Sequence, residues 1–159
     1  MSEPLAYFLT WTTRGTWVHG DERGSVDRSR NQVGHPIEDP HAFRQRLRER
    51  SMSDKPFVLA SVMVRHEVDQ AIRRVCVERD WRLHAINVRT NHVHVVVLAP
   101  GYSPEEVIRQ LKSWSTRALR SNSHAGGDRP VWTRHGSTRY LWDADSVARA
   151  VRYVLEWQD

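Results

Sequence analysis

The sequence predicts an α+β fold: a ferredoxin-like or RNA-recognition-like antiparallel sheet with helices packed on one face and an extra C-terminal helix. Three observations point there. Segments of strand and helix character follow one another as strand, long loop, helix, strand, strand, helix, strand, helix. The middle two strands are separated only by Arg89, Thr90 and Asn91, the spacing of a tight antiparallel hairpin. The 159 residues, 39% of them hydrophobic, suffice for one domain with a real core. The expectation is one domain over residues 1–159, with a long loop insertion at about 14–56.

Leu5 to Thr13 (LAYFLTWTT) is rich in aromatic and threonine residues and reads as the first strand. From Arg14 to about Pro56 the pattern dissolves into glycines, prolines and charges, interrupted by a short helical candidate at Pro40 to Arg50. Within it, Gly15 to Gly24 is a compact turn-rich run from which a loop can touch a substrate. His66 to Asp80 places Val68, Ile72, Val75, Cys76 and Val77 near a 3.6-residue period, a core helix. Trp81 to Val88 and His92 to Ala99 are the hairpin strands, the second nearly all apolar and so central in its sheet. Ser103, Pro104 and Glu106 form a helix start in which serine caps, proline takes the first position and glutamate reaches back to the cap. That helix runs to about Arg120 with Val107, Leu111, Trp114 and Ala118 on one stripe and Arg109, Lys112, Arg117 and Arg120 largely off it. Val131 to Thr133 and Arg139 to Trp142 read as short strands, and Asp143 or Asp145 caps a last helix.

The charge points to a polyanionic partner. Lys+Arg number 24 against 19 Asp+Glu, and 22 of the 24 cations are arginine, the side chain suited to bidentate phosphate contacts and to stacking on bases. The single cysteine, Cys76, excludes an internal disulfide and a Cys-rich zinc site, which fits a reducing cytoplasm. No run approaches the roughly 18 apolar residues that cross a bilayer, so no membrane partner is expected.

The sharpest chemical feature is Asn91-His92-Val93-His94 at the start of an apolar strand. Side chains alternate along a strand, so His92 and His94 share a face about 6 to 7 Å apart and can share a divalent metal. Two imidazoles are costly to bury unpaired in a run that otherwise reads VVVLA. Arg134 to Arg139 precede the last helix and could hold phosphate, as could Arg14, Arg109, Lys112 and Arg117.

The segment INVRTNHVHVVV resembles the His-hydrophobic-His strand of the HUH nucleases, specifically the single-tyrosine transposases, which include the REP-associated tyrosine transposases. The resemblance extends to YFLTWTTRGTW, WTRHGSTRYLW and VARAVRYVLEWQ, touching both ends and the middle of the chain. It implies a sheet bearing Mg²⁺ or Mn²⁺ on its central strand, held by His92 and His94, and a helix presenting Tyr153 as nucleophile. That tyrosine would attack single-stranded, hairpin-forming DNA and leave a 5′-phosphotyrosine intermediate with a free 3′-hydroxyl. Of the four tyrosines, Tyr153 matches the family position and lies at the edge of the stripe Val147, Val151, Val154 and Gln158. Members usually place a third ligand, Gln or Asn, four residues after the tyrosine. That position is Trp157, which offers a metal no lone pair, so either Gln158 or Glu156 would substitute. The resemblance leaves monomer and homodimer open. The rival expectation is a catalytically inactive or domesticated nucleic-acid-binding module of the same fold.

Overall fold

The structure is a computed structural model that describes residues 3–15, 56–126 and 129–156. The chain divides into two compact units, Met1–Arg14 with Val58–Asp159, and Gly15–Phe57. In the second unit, Gly15 at φ 79° lies so close to Pro56 that a Cβ there would stand 2.9 Å from Pro56 Cα, so only glycine fits. The helical candidate at Pro40 to Arg50 and the rest of the Gly15 to Gly24 run lie outside the described residues.

The first unit holds β1 (Ala6–Thr13), α1 (Val62–Arg79), β2 (Arg82–Val88), β3 (His92–Leu98), α2 (Pro104–Ser121), β4 (Trp132–Leu141) and α3 (Ala144–Glu156). The sheet order is β2-β3-β1-β4 with antiparallel pairing throughout. This is the ferredoxin-like arrangement the sequence predicts. β3, apolar apart from its two histidines, is indeed central, flanked by β1 and β2.

Alternation along the strands divides the side chains between two faces. On one, Leu9, Trp11, Val93, Val95 and Val97 are fully buried, and so are Val68, Ile72 and Val75 of α1 and Val107 and Leu111 of α2. On the other, Ala6, Ala85 and Val96 form a cluster with Leu141 and with Ala150 and Val154 of α3, edged by Phe8, Val147 and Val151. The small side chains of Ala6, Ala85 and Ala150 let α3 approach the sheet closely. The extra helix therefore covers the face that α1 and α2 leave.

Several elements differ from expectation in instructive ways. α1 begins at Val62 rather than His66, capped by Ser61, whose Oγ accepts from the Val64 N–H at 3.1 Å. Val62 and Met63 are more than 70% exposed, so no burial period marks that first turn, and Val77, expected in the apolar period, faces solvent because the next position round from Cys76 leaves the packed stripe. In α2 the buried row is Val107, Leu111, Ser115 and Leu119, while Trp114 and Ala118 are only half-buried. Ser115 is tolerated there because its hydroxyl donates to Leu111 O at 2.7 Å. Ser103 caps α2 as expected, but the Glu106 carboxylate is taken by Arg109 and Gln110 instead of the cap. The two short strands after α2 are one ten-residue strand, β4. It is an edge strand, exposed from Arg134 to Tyr140, so its middle shows no apolar alternation. Of the two candidate caps for α3, Asp143 serves: its Oδ1 accepts from the Ser146 N–H at 2.7 Å.

Candidate active site

The turn between β2 and β3 closes with the Arg89 N–H donating to His92 O at 2.8 Å, and β3 then enters the sheet carrying both histidines on the α3 side. Thr12 lies opposite His92 in β1 and Thr10 opposite His94, while Asn87 lies opposite His94 in β2. The imidazole rings of His92 and His94 meet at 4.7 Å between centroids. His92 Nδ1 shares a 2.7 Å hydrogen bond with Asn91 Oδ1, and His94 Nδ1 a 2.9 Å one with Thr10 Oγ1.

Tyr153 comes to the same place from α3. Its ring lies 5.7 Å from that of His94, nearly perpendicular to it, and 5.8 Å from Phe8. Phe8 in turn meets His94 edge-on at 5.9 Å, so phenylalanine, histidine and tyrosine form one aromatic cluster. The helix is pinned beside it by the Asn87 side chain, which donates to Val154 O at 2.9 Å. Tyr153 remains 41% exposed, as a side chain at the rim of the α3 core must be. The other tyrosines are committed elsewhere. Tyr140 pairs with Tyr7 in the sheet and so faces away from the histidines, its ring 5.5 Å from that of Tyr7. The Tyr7 hydroxyl donates to Tyr102 O, and Tyr102 packs edge-on against Trp81.

The chemistry of two adjacent imidazoles on one sheet face suits a shared divalent cation whose remaining positions go to oxygen. Among the described residues, no three His, Cys, Asp or Glu side chains gather into a metal-holding group, so Glu156 does not join His92 and His94. Glu156 is exposed at the last residue of α3, about 60° around the helix from Tyr153 and roughly 4.5 Å further along it. Gln158 and Trp157 lie outside the described residues.

The six basic residues singled out in the sequence separate in space. Arg139 lies opposite Phe8 in the sheet, exposed on the histidine side. Arg109, Lys112, Arg117 and Arg134 line a groove of about 620 Å³ between α2 and the start of β4, with Arg120 as a fifth cation. Arg109 is held by Glu106 at 2.6 and 2.9 Å, and these bonds bring the glutamate pKa to about 2. Lys112 is half-buried, which pulls its pKa down, and its Nζ donates to Thr133 O at 2.9 Å and to Arg134 O and His135 O at 3.4 Å. Three donors on three carbonyls make it a brace for β4. Arg14 Nε donates to Pro130 O at 2.8 Å.

Thr10, Asn87 and Phe8 belong to this site and were not legible as such, because only the register places them beside the histidines. Asn91 carried a signal: a polar residue directly before a His-apolar-His strand.

The family described as Transposase IS200 like matches residues 53–149, well over half of the chain and including both histidines. The chain belongs to that transposase family. The matched segment ends four residues before Tyr153. Among solved structures, the chain resembles a REP-associated tyrosine transposase bound to a REP hairpin, at 14% identity and a TM-score of 0.51, over 97% of this chain and 67% of that one. It also resembles a protein of Deinococcus radiodurans R1 assigned as a transposase, at 15% identity and a TM-score of 0.50, over 97% of this chain and 91% of that one. At such identities the likeness is one of fold. The curated proteins contain no match. Among the described residues of this transposase-family chain, no helix is long and apolar enough to cross a membrane.

Proposed function

We propose that the chain is a metal-dependent DNA strand transferase that cuts and rejoins single-stranded DNA through a phosphotyrosine formed on Tyr153. One observation carries the reading: the Tyr153 ring packs 5.7 Å from that of His94, beside His92, within a single chain. Family membership supports transposition as the process. The hairpin bound by the REP-associated relative supports single-stranded, hairpin-forming DNA as the partner.

In this reading the phenolic oxygen of Tyr153 forms a bond to the scissile phosphorus while the bond from phosphorus to the 3′ oxygen breaks. The electron pair leaves with that oxygen, which takes up a proton, and the 5′ phosphate stays on the tyrosine. The phenol proton passes to solvent. Rejoining reverses the exchange with a new 3′-hydroxyl. His92 and His94, with Gln158 as the remaining candidate ligand, would hold Mg²⁺ or Mn²⁺, which would supply Lewis acidity at the scissile phosphate and charge for the leaving oxygen. Phe8 and Asn87 hold Tyr153 over the pair. Arg139 contacts phosphate on the histidine side, Arg117, Arg120 and Arg134 contact it in the groove, and the whole works on DNA in the cytoplasm. One chain supplies both histidines and tyrosine, so a monomer suffices, and a homodimer would add binding surface.

A second reading, a binding module that no longer cuts, is favoured by Trp157 at the position four residues after Tyr153 and by Glu156 standing apart from the histidines. Incubation with labelled hairpin oligonucleotides and Mn²⁺, followed by a denaturing gel, separates the two. A covalent protein–DNA band is the expected result. Salt-sensitive binding without any band on any substrate refutes strand transfer and leaves the module.

A further inference from the structure

We propose that Asn91 and Thr10 are positioning residues that hold His92 and His94 in the same tautomer, each with its proton on Nδ1 and its lone pair on Nε2. The inference concerns these two side chains and rests on the reading of the histidines as a cation-binding pair.

A neutral imidazole carries one proton, and the hydrogen bond made by one nitrogen decides what the other can offer. At His92 the case is direct, because Asn91 Oδ1 can only accept, so a 2.7 Å bond to it requires the proton on Nδ1. At His94 the partner is a hydroxyl, Thr10 Oγ1 at 2.9 Å, which could donate or accept. If it donated, Nδ1 would spend its lone pair on threonine and the proton of a neutral His94 would sit on Nε2. Acceptance by Thr10 instead makes the two rings equivalent donors of lone pairs, as a shared cation demands. Outer partners of this kind fix ring orientation and raise ligand basicity.

Both side chains are placed to do this without help from chain flexibility. Thr10 lies directly opposite His94 in the β1–β3 ladder, so the sheet register sets its distance. Asn91 has its own carbonyl tied to the Thr13 N–H at 2.8 Å and to the Thr13 hydroxyl at 3.3 Å, which fixes the backbone from which its amide reaches His92. Neither residue has a positive φ, so replacing either side chain imposes no backbone strain.

The test uses the full chain labelled with ¹⁵N at histidine, stripped of metal, at a pH where imidazoles are neutral. Long-range ¹H–¹⁵N spectra are expected to show the Nδ1–H tautomer at both His92 and His94. An Nε2–H tautomer at either one in the wild-type protein overturns the proposal for that residue, and this needs no variant to fold. Asn91→Leu should release the tautomer at His92 alone and Thr10→Val that at His94 alone, while Asn91→Asp and Thr10→Ser, which keep an acceptor, retain them. Unchanged tautomers in Asn91→Leu and Thr10→Val overturn it. Mn²⁺ titration followed by electron paramagnetic resonance should show affinity weakened by about 10–100-fold in the two apolar variants and restored in the conservative ones. Wild-type protein that takes up no Mn²⁺ refutes the functional reading, and with it the cation's part here, whatever the tautomers.

Discussion

Replacing Asn87 by alanine should loosen α3 and leave the rest of the domain intact. The Asn87 amide donates to Val154 O at 2.9 Å, and Val154 O is one of the last four carbonyls of α3, which a helix end leaves without intrahelical partners. A hydrogen bond of this kind is worth about 1 kcal/mol net, and up to about 3 if the carbonyl stays buried and unsatisfied. At the lower figure the undocked population of α3 rises roughly fivefold. The opposite face has its own core under α1 and α2, with Leu9, Val93, Val95 and Val97 fully buried, so the loss is local. Native-state hydrogen exchange reads this directly: amides in the last two turns of α3 should exchange about fivefold faster or more, and those of β1 and β3 at the wild-type rate. Asn87→Asp should be worse than alanine, because it sets a carboxylate against a carbonyl. Unchanged α3 exchange, or equal acceleration throughout the sheet, would refute the assignment of Asn87 as the pin that seats Tyr153.

Gly136→Ala should cost about 1–3 kcal/mol of stability, read as a lower urea midpoint, since its Cβ would stand 2.8 Å from Thr10 O and 3.2 Å from Cβ of the buried Trp11; an unchanged midpoint refutes the packing. The Asp143 carboxyl is held below the usual carboxylate range by its bonds from Ser146. Its contribution to docking α3 is therefore full above the unfolded-chain carboxylate pKa and is lost as pH falls through the depressed folded value. Exchange or NMR signals of the first turn of α3 across an acid series should show that loss in wild type and not in Asp143→Asn, which keeps the cap. Arg117→Ala and Arg134→Ala should each reduce the salt dependence of DNA binding by about one phosphate contact, measured by anisotropy at several salt concentrations. Arg109→Ala should change it less, because Glu106 already engages that guanidinium; equal slopes in all three variants would contradict the groove assignment.

The fold was legible because its signals are local. The hairpin at Arg89 to Asn91, the Ser103 cap and the period of Val68, Ile72, Val75 and Cys76 each follow from residues within a few positions of one another. β4 was read as two fragments because an edge strand with one neighbour needs no apolar middle, so Arg134 to Tyr140 gives no pattern to read. The candidate site was half legible. His92 and His94 declare themselves by alternation within one strand, and Tyr153 by its place on the last helix. Thr10, Asn87 and Phe8 reach the histidines only through strand pairing and the docking of α3, which depend on partners 7 to 145 residues away along the chain and leave no trace in local spacing. Periodicity places Lys112 off the apolar stripe of its helix but gives no sign that three backbone carbonyls of β4 claim its ammonium.

The most direct measurement is where the DNA becomes attached. Protein trapped on a hairpin oligonucleotide in the presence of Mn²⁺ is digested with trypsin, and the peptide carrying a phosphate-linked nucleotide is sequenced by mass spectrometry. A nucleotide on Tyr153 is the expected result, with no adduct from Tyr153→Phe and a normal one from Tyr140→Phe. A nucleotide on Tyr140, Tyr7 or Tyr102, or an adduct that survives Tyr153→Phe, would contradict the account.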